Sequence, residues 1–485
     1  MTSNNLFELH KLKNLLFNGC YYLLNVLFPL LTYPHVARVL GVDNIGLGNL
    51  AISLGTYFAT IASLGIPIYG IREVAKCRED KAKLSFLVSE LIIINTIGVL
   101  ISVVIYTALI LYVDIFRENL YIYILAGLNL LFSFFQIDWL FQGVEKFKTL
   151  MVRNFIVKLV SLIMVYNLIS QPNDVNEYVF ISVLGLSLAN VINILESRKF
   201  VKLTLSNVDI KRHIKSIMFF SSTRLVSTVY TVLDSVILGL LTNNYFVGLY
   251  STAVRLVRVV VAIISSVTMV FFADTARQGS DDNEKVNLNR LTDLFVFIFS
   301  ICTPIAGFLV IFADVIVLSF AGADFVDAGE TLKILSLLVM ISIGTNFLGM
   351  QVLYARNLEK YVLQSLIVGA IICIVLNLIL TSTYKHNGAA YSTVLAETGI
   401  LLYQIIIIKT RKLPVFSNLL SKMKKAIIAI MLYFLSIIII HNSLIIENEF
   451  KFLFFISGYS LVSYPLILFL VREPIFMKII ENIKK

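Results

Sequence analysis

Two arginines three residues apart, Arg255 and Arg258, stand inside an apolar stretch running from about residue 246 to 272. At helical spacing they share one face with Ser251, Ala262 and Ser265. Fixed cations so far from water can neutralise a bound anion, provided a hydrated cavity admits it. A structural ion pair with Asp234, in the preceding apolar run, is the competing reading. Arg224 and Arg38 lie nearer the ends of their own runs, where a long side chain can reach water. Glu90 and Glu397 are carboxylates within apolar runs; each could carry a proton or couple to sodium, or serve as a hydrogen-bonded structural group. Asp138 adjoins Trp139, the single tryptophan, close to the end of a run, an interfacial placement.

Polar side chains elsewhere fall into stripes. Asn14, Asn18, Tyr21, Asn25 and Thr32 recur mostly three or four apart, and Ser221, Arg224, Thr228, Thr231 and Ser235 do so throughout, with Asp234 alongside. Such stripes mark either tight helix packing or the lining of a cavity. Tyr21, Asn25 and Tyr230 are candidates for the polar lining of such a cavity. No Ser/His/Asp or paired-carboxylate arrangement, phosphate loop or Cys/His cluster appears, so neither enzyme chemistry nor a metal or organic cofactor is expected. Cys20, Cys77, Cys302 and Cys373 read as free thiols.

The elements that carry these residues follow from composition. Of 485 residues, 58% are hydrophobic and only 14% charged, with a mean hydropathy of +0.88. A soluble chain carries about a quarter charged residues, so lipid is the solvent for the excess apolar surface. With about 20 residues per crossing, the sequence predicts an all-α integral membrane protein of about fourteen spans. They fall near 14–34, 45–66, 84–113, 120–140, 152–170 and 178–195, then 217–240, 246–272, 291–313, 330–353, 362–382 and 388–408. Two more follow, near 426–441 and 452–471. No small-residue cleavage pattern follows the first run, so that span is expected to remain.

The net charge of +10 is confined to connectors. About 32 lysines and arginines fall on one side and about 4 in the opposite loops, which predicts cytoplasmic N- and C-termini and argues against nucleic-acid binding. The longest basic connector follows the sixth span and divides the chain into residues 1–215, 216–410 and 411–485: two six-helix bundles and two further helices. The bundles read as a parallel repeat, since Asn44-Ile45-Gly46-Leu47 opens the second span and Phe246-Val247-Gly248-Leu249 opens the eighth.

Three segments resemble a known family. Tyr33-Pro34-His35-Val36-Ala37-Arg38-Val39-Leu40-Gly41-Val42-Asp43-Asn44-Ile45-Gly46 is similar to the opening of bacterial polysaccharide flippases, the polysaccharide branch of the multidrug/oligosaccharidyl-lipid/polysaccharide (MOP) exporter superfamily. So is Ser63-Leu64-Gly65-Ile66-Pro67-Ile68-Tyr69-Gly70-Ile71-Arg72-Glu73-Val74-Ala75-Lys76, and so is Asn387-Gly388-Ala389-Ala390-Tyr391-Ser392-Thr393 with Glu397. The resemblance implies a V-shaped pair of bundles in the bacterial inner membrane. By alternating access they would pass an undecaprenyl-pyrophosphate-linked oligosaccharide, such as an O-antigen unit, to the periplasmic leaflet. It implies association with a polysaccharide polymerase and a chain-length regulator. Arg255, Arg258, Arg224 and Arg38 would meet the pyrophosphate. An ion-coupled multidrug antiporter of the same superfamily is the alternative; it would favour acidic cavity residues.

Overall fold

The computed structural model describes residues 3–202, 209–278, 284–443 and 449–483, all of it helix, turn or loop. The chain divides into two compact units, Met1–Gly248 and Leu249–Lys485.

The first unit is built around α1 (Ser3–Ser63), which packs against α3 (Lys81–Tyr112), α5 (Leu120–Phe132), α7 (Phe147–Leu168), α8 (Val175–Ser197) and α9 (Lys211–Leu241). Between them lie the short α2 (Ile66–Cys77), α4 (Asp114–Arg117) and α6 (Asp138–Gly143). The first two predicted spans form α1, joined at a sharp kink where Gly41 adopts φ 75° and ψ 176°. That region is open only to glycine without strain, so the predicted outer loop shrinks to a bend. α2 was not expected from span length. It buries Ile66, Tyr69, Gly70 and Val74 along one face, and its basic residues point outward, the pattern of an interfacial helix. Asp80 then starts α3 by accepting the Ala82 and Lys83 amides, both at 3.1 Å.

The matched glycines of the two repeats meet. A Cβ on Gly46 would overlap the carbonyl of Asn244, and one on Gly248 the carbonyl of Val42. Only hydrogen in place of a side chain allows this backbone crossing between α1 and the first turn of α10 (Asn244–Gln278).

The second unit holds the rest of α10, then α11 (Glu284–Ile311), α12 (Ala313–Ala321), α13 (Ala328–Phe347), α14 (Glu359–Thr410), α15 (Leu419–Ser443), α16 (Glu449–Leu470) and α17 (Pro474–Ile483). α13 packs on α11, α12 and α14, and α15 on α11 and α16. α14 carries the eleventh and twelfth spans, broken at Lys385 (φ 53°, ψ −127°). α13 runs into a π-helical turn, Leu348–Leu353, which widens the helix and shifts its register.

Among the described residues, eleven helices are long and apolar enough to cross a bilayer. The kinked α1 (61 residues) and α14 (52 residues) are each long enough to cross twice, once on either side of the kink. Large side chains such as Val104 (69% exposed) and Leu461 (78% exposed) face outward where only hydrocarbon would accept them.

Candidate functional site

Glu90 is one of the two carboxylates expected to act within the membrane, and its surroundings are the most elaborate in the first unit. Its side chain is buried in the first turns of α3, where it accepts hydrogen bonds from the Asp209 amide (2.9 Å), from Arg212 and from His213 Nε2 (2.9 Å). Tyr69 Oη lies 2.7 Å from His213 Nδ1. The imidazole thus bridges the phenol and the carboxylate, and Arg212 Nε also reaches its Nε2 at 3.1 Å. Burial, with Glu73 close by, raises the Tyr69 phenol above its ordinary value. About two turns further along α9, Ser221 Oγ accepts the Gly65 amide at 2.7 Å. A cavity of about 540 Å³ adjoins these groups, lined also by Glu73, Lys76, Cys77 and Lys83.

A second polar cluster joins α1, α6, α7 and α8. Asp138 accepts Arg153 Nη2 at 2.8 Å and Asn193 Nδ2 at 2.6 Å on one oxygen, and the Tyr21 hydroxyl at 3.0 Å on the other. The Arg153 side chain is only 4% exposed and that of Asp138 19%, so the ion pair is largely buried. Asp138 meets its partners because α5 ends in a 3₁₀ turn at Ser133–Phe135 and α6 restarts at position 138, turning the carboxylate inward. Five residues beyond Arg153, Lys158 is buried with its ammonium 4.7 Å over the Phe28 ring.

The predicted anion-site residues are placed as follows. Arg255 is half-buried and Arg258 exposed, both in the middle third of the span Asn244–Ser266. Arg38 is exposed and donates to the Pro34 carbonyl of its own helix at 3.2 Å. Asn25 is exposed and donates to the Tyr21 carbonyl at 3.1 Å. Asp234 is buried. The side chains of Arg224 and Tyr230 lie outside the described residues. Glu397, in α14, is buried and accepts the Thr345 hydroxyl at 2.6 Å. The structure therefore gathers Glu90 with one set of partners and Tyr21 with another. It keeps Arg255 and Arg258 on one helix face.

Arg153, Lys158, Arg212 and His213 were not singled out in the sequence. Arg153 and Lys158 follow Lys146 and Lys148 closely and count with them as flanking charge. The one available signal was their position inside the predicted span 152–170.

With this geometry in hand, comparison with known proteins is informative. The inward-closed lipid II flippase MurJ superposes with a TM-score of 0.69 at 17% identity, covering 96% of this chain and 99% of that one. An inward-facing multidrug MATE transporter of the MOP superfamily superposes with a TM-score of 0.60 at 14% identity, covering 79% and 95%. These likenesses define the class by fold: a polytopic helical membrane protein built like the MOP transporters. At the level of sequence, the family described as "Polysaccharide biosynthesis protein" matches residues 11–272, more than half of the chain, and the chain belongs to it. Proteins named as candidate O-antigen transporters in Shigella dysenteriae and Escherichia coli K12 are 24% and 23% identical. They cover 82% and 81% of this chain and 100% and 95% of their own lengths.

Proposed function

We propose that this protein is a flippase for a lipid-linked oligosaccharide, carrying an undecaprenyl-pyrophosphate-linked surface-polysaccharide unit from the cytoplasmic to the periplasmic leaflet. The observation that carries the reading is Arg258, exposed in the middle of a span with Arg255 one turn before it. Whatever protein groups it also contacts, an arginine exposed at that depth presents charge to its surroundings, and where those are hydrocarbon the cost is about 3 kcal/mol. A hydrated cavity therefore suits this helix face, and its fixed cations suit a pyrophosphate stripped of part of its own hydration. The family and the candidate O-antigen transporters support the same substrate class. In this reading the basic connectors and both termini are cytoplasmic, and a polymerase with its chain-length regulator consumes the product on the far side.

Deleting the gene in its bacterial host tests the proposal. Lipid-linked repeat units are expected to accumulate on the cytoplasmic leaflet, with rescue by the wild type and poor rescue by Arg255→Ala or Arg258→Ala at equal membrane levels. Full rescue by both variants removes the anion site from α10. Unchanged surface polysaccharide with no accumulation overturns the flippase reading and favours the multidrug antiporter.

A further inference from the structure

The segment Ser63–Lys76 was singled out by its sequence, and the structure shows what it touches. It forms the corner between α1 and α2, and three polar tethers dock α9 there: Gly65 amide to Ser221 Oγ, Tyr69 to His213, and Glu90 on α3 to both His213 and Arg212. Glu90 also takes the Asp209 amide at the start of α9, whose N-cap position, Ile210, offers no side-chain acceptor. A carboxylate supplied from another helix thus caps α9 and complements its dipole.

We propose that Glu90, His213 and Ser221 form a releasable lock that holds the start of α9 on the α1–α2 corner, and that the lock opens for substrate loading at the basic end. The loading step rests on the flippase reading; the lock itself does not. Each tether is a directional hydrogen bond, made at one relative position of the helices and lost within about 1 Å of it, so the contact is two-state. Leu64, beside the tethered Gly65, is held at φ 48°, in the left-handed region that a leucine rarely adopts. The adjoining cavity of about 540 Å³ gives Arg212, whose side chain is 53% exposed, room to swing away. The charged and titratable groups around Glu90 are Tyr69, Glu73 and Lys76 from α2, Lys83 from α3, and Asp209, Arg212 and His213 from the start of α9. Lys76 is already paired with Glu73 at 2.7 Å and Lys83 with Asp80 at 3.3 Å, so Arg212 and His213 are the partners that hold Glu90.

Cys77 is a built-in reporter. It lines the same cavity and is half-buried, and burial together with Glu73 raises its thiol above the ordinary value, which slows labelling while the lock is closed. In the full-length protein in membranes, a maleimide that cannot cross the bilayer is applied, and the Cys77 peptide is followed by mass spectrometry. Glu90→Gln is expected to speed Cys77 labelling about tenfold, and the milder Ser221→Ala severalfold. Unchanged rates in both variants overturn the lock. Separately, Gly65→Cys with Ser221→Cys, in a Cys77→Ser background, is expected to oxidise to a disulfide that stops flipping until reductant is added. Oxidised protein that flips at the wild-type rate overturns the opening for loading, and failure of the disulfide to form overturns the lock itself, since the two positions are then not held together. If the reduced protein flips nothing in a host where the wild type also flips nothing, the flippase reading fails while the labelling result still decides the lock.

Discussion

Glu90 and Glu397 are the same side chain in the same kind of place, a buried position on a membrane-spanning helix, yet their environments differ in kind. Glu90 receives a backbone amide, a guanidinium and an imidazole. Glu397 receives one hydroxyl, from Thr345, and no ion pair among the described residues. The first arrangement stabilises a carboxylate anion and makes it a fastener. The second offers no balancing charge among the described residues, only a hydroxyl donor. Position within a span does not assign a role to an intramembrane acid; the donors around it do.

That contrast can be broken by substitution, with thermal unfolding in detergent followed by the buried single tryptophan, Trp139. Glu90→Ala leaves His213 and the Asp209 amide without their acceptor and is expected to cost about 3 kcal/mol. Asp138→Asn weakens the acceptor of a guanidinium that is almost wholly buried, and about 2 kcal/mol is expected. Glu397→Gln retains an oxygen for the Thr345 hydroxyl and should change stability by less than about 1 kcal/mol. A cost as large as that of Glu90→Ala would place a hidden cation beside Glu397 and erase the contrast. Lys158→Met removes an ammonium whose partner is an aromatic ring, exchanging a cation–π attraction of up to about 2 kcal/mol for relief of desolvation. An unchanged or slightly raised midpoint is expected.

Asp174 should give the smallest effect. It lies in the exposed loop before α8, and the Ser170 and Gln171 amides, each 2.8 Å away, lower its carboxyl below the ordinary value. Its stabilising contribution is present above the ordinary carboxylate range and fades as pH falls through the lowered value. Asp174→Asn should therefore lower the midpoint slightly at neutral pH and make no difference in strong acid.

How far the sequence reaches is clear from these same residues. The spans were legible because hydrocarbon demands long apolar runs, and Arg255 and Arg258 because charge interrupts such a run. The kinks at Gly41 and Lys385 were not, since a bend inside a helix and a short loop between helices leave similar composition. The partners of Glu90 and Asp138 were hidden for a different reason. His213 is 123 residues from Glu90, and Tyr21 is 117 from Asp138. Nothing local marks which of several helices will face each other, so Arg153 read as flanking charge and the partners of Asp138 stayed hidden until packing brought them together.

The glycine crossing carries one last implication. Gly46 and Gly248 are 202 positions apart, and so are Val42 and Asn244. Gly46 abuts Asn244 while Gly248 abuts Val42, so each helix offers the other the surface it receives. At both places the obstacle to a side chain is a backbone carbonyl, which cannot turn aside as the tip of a side chain can. A methyl group at either glycine would therefore have to be met by movement of a whole helix, and the two positions constrain one another.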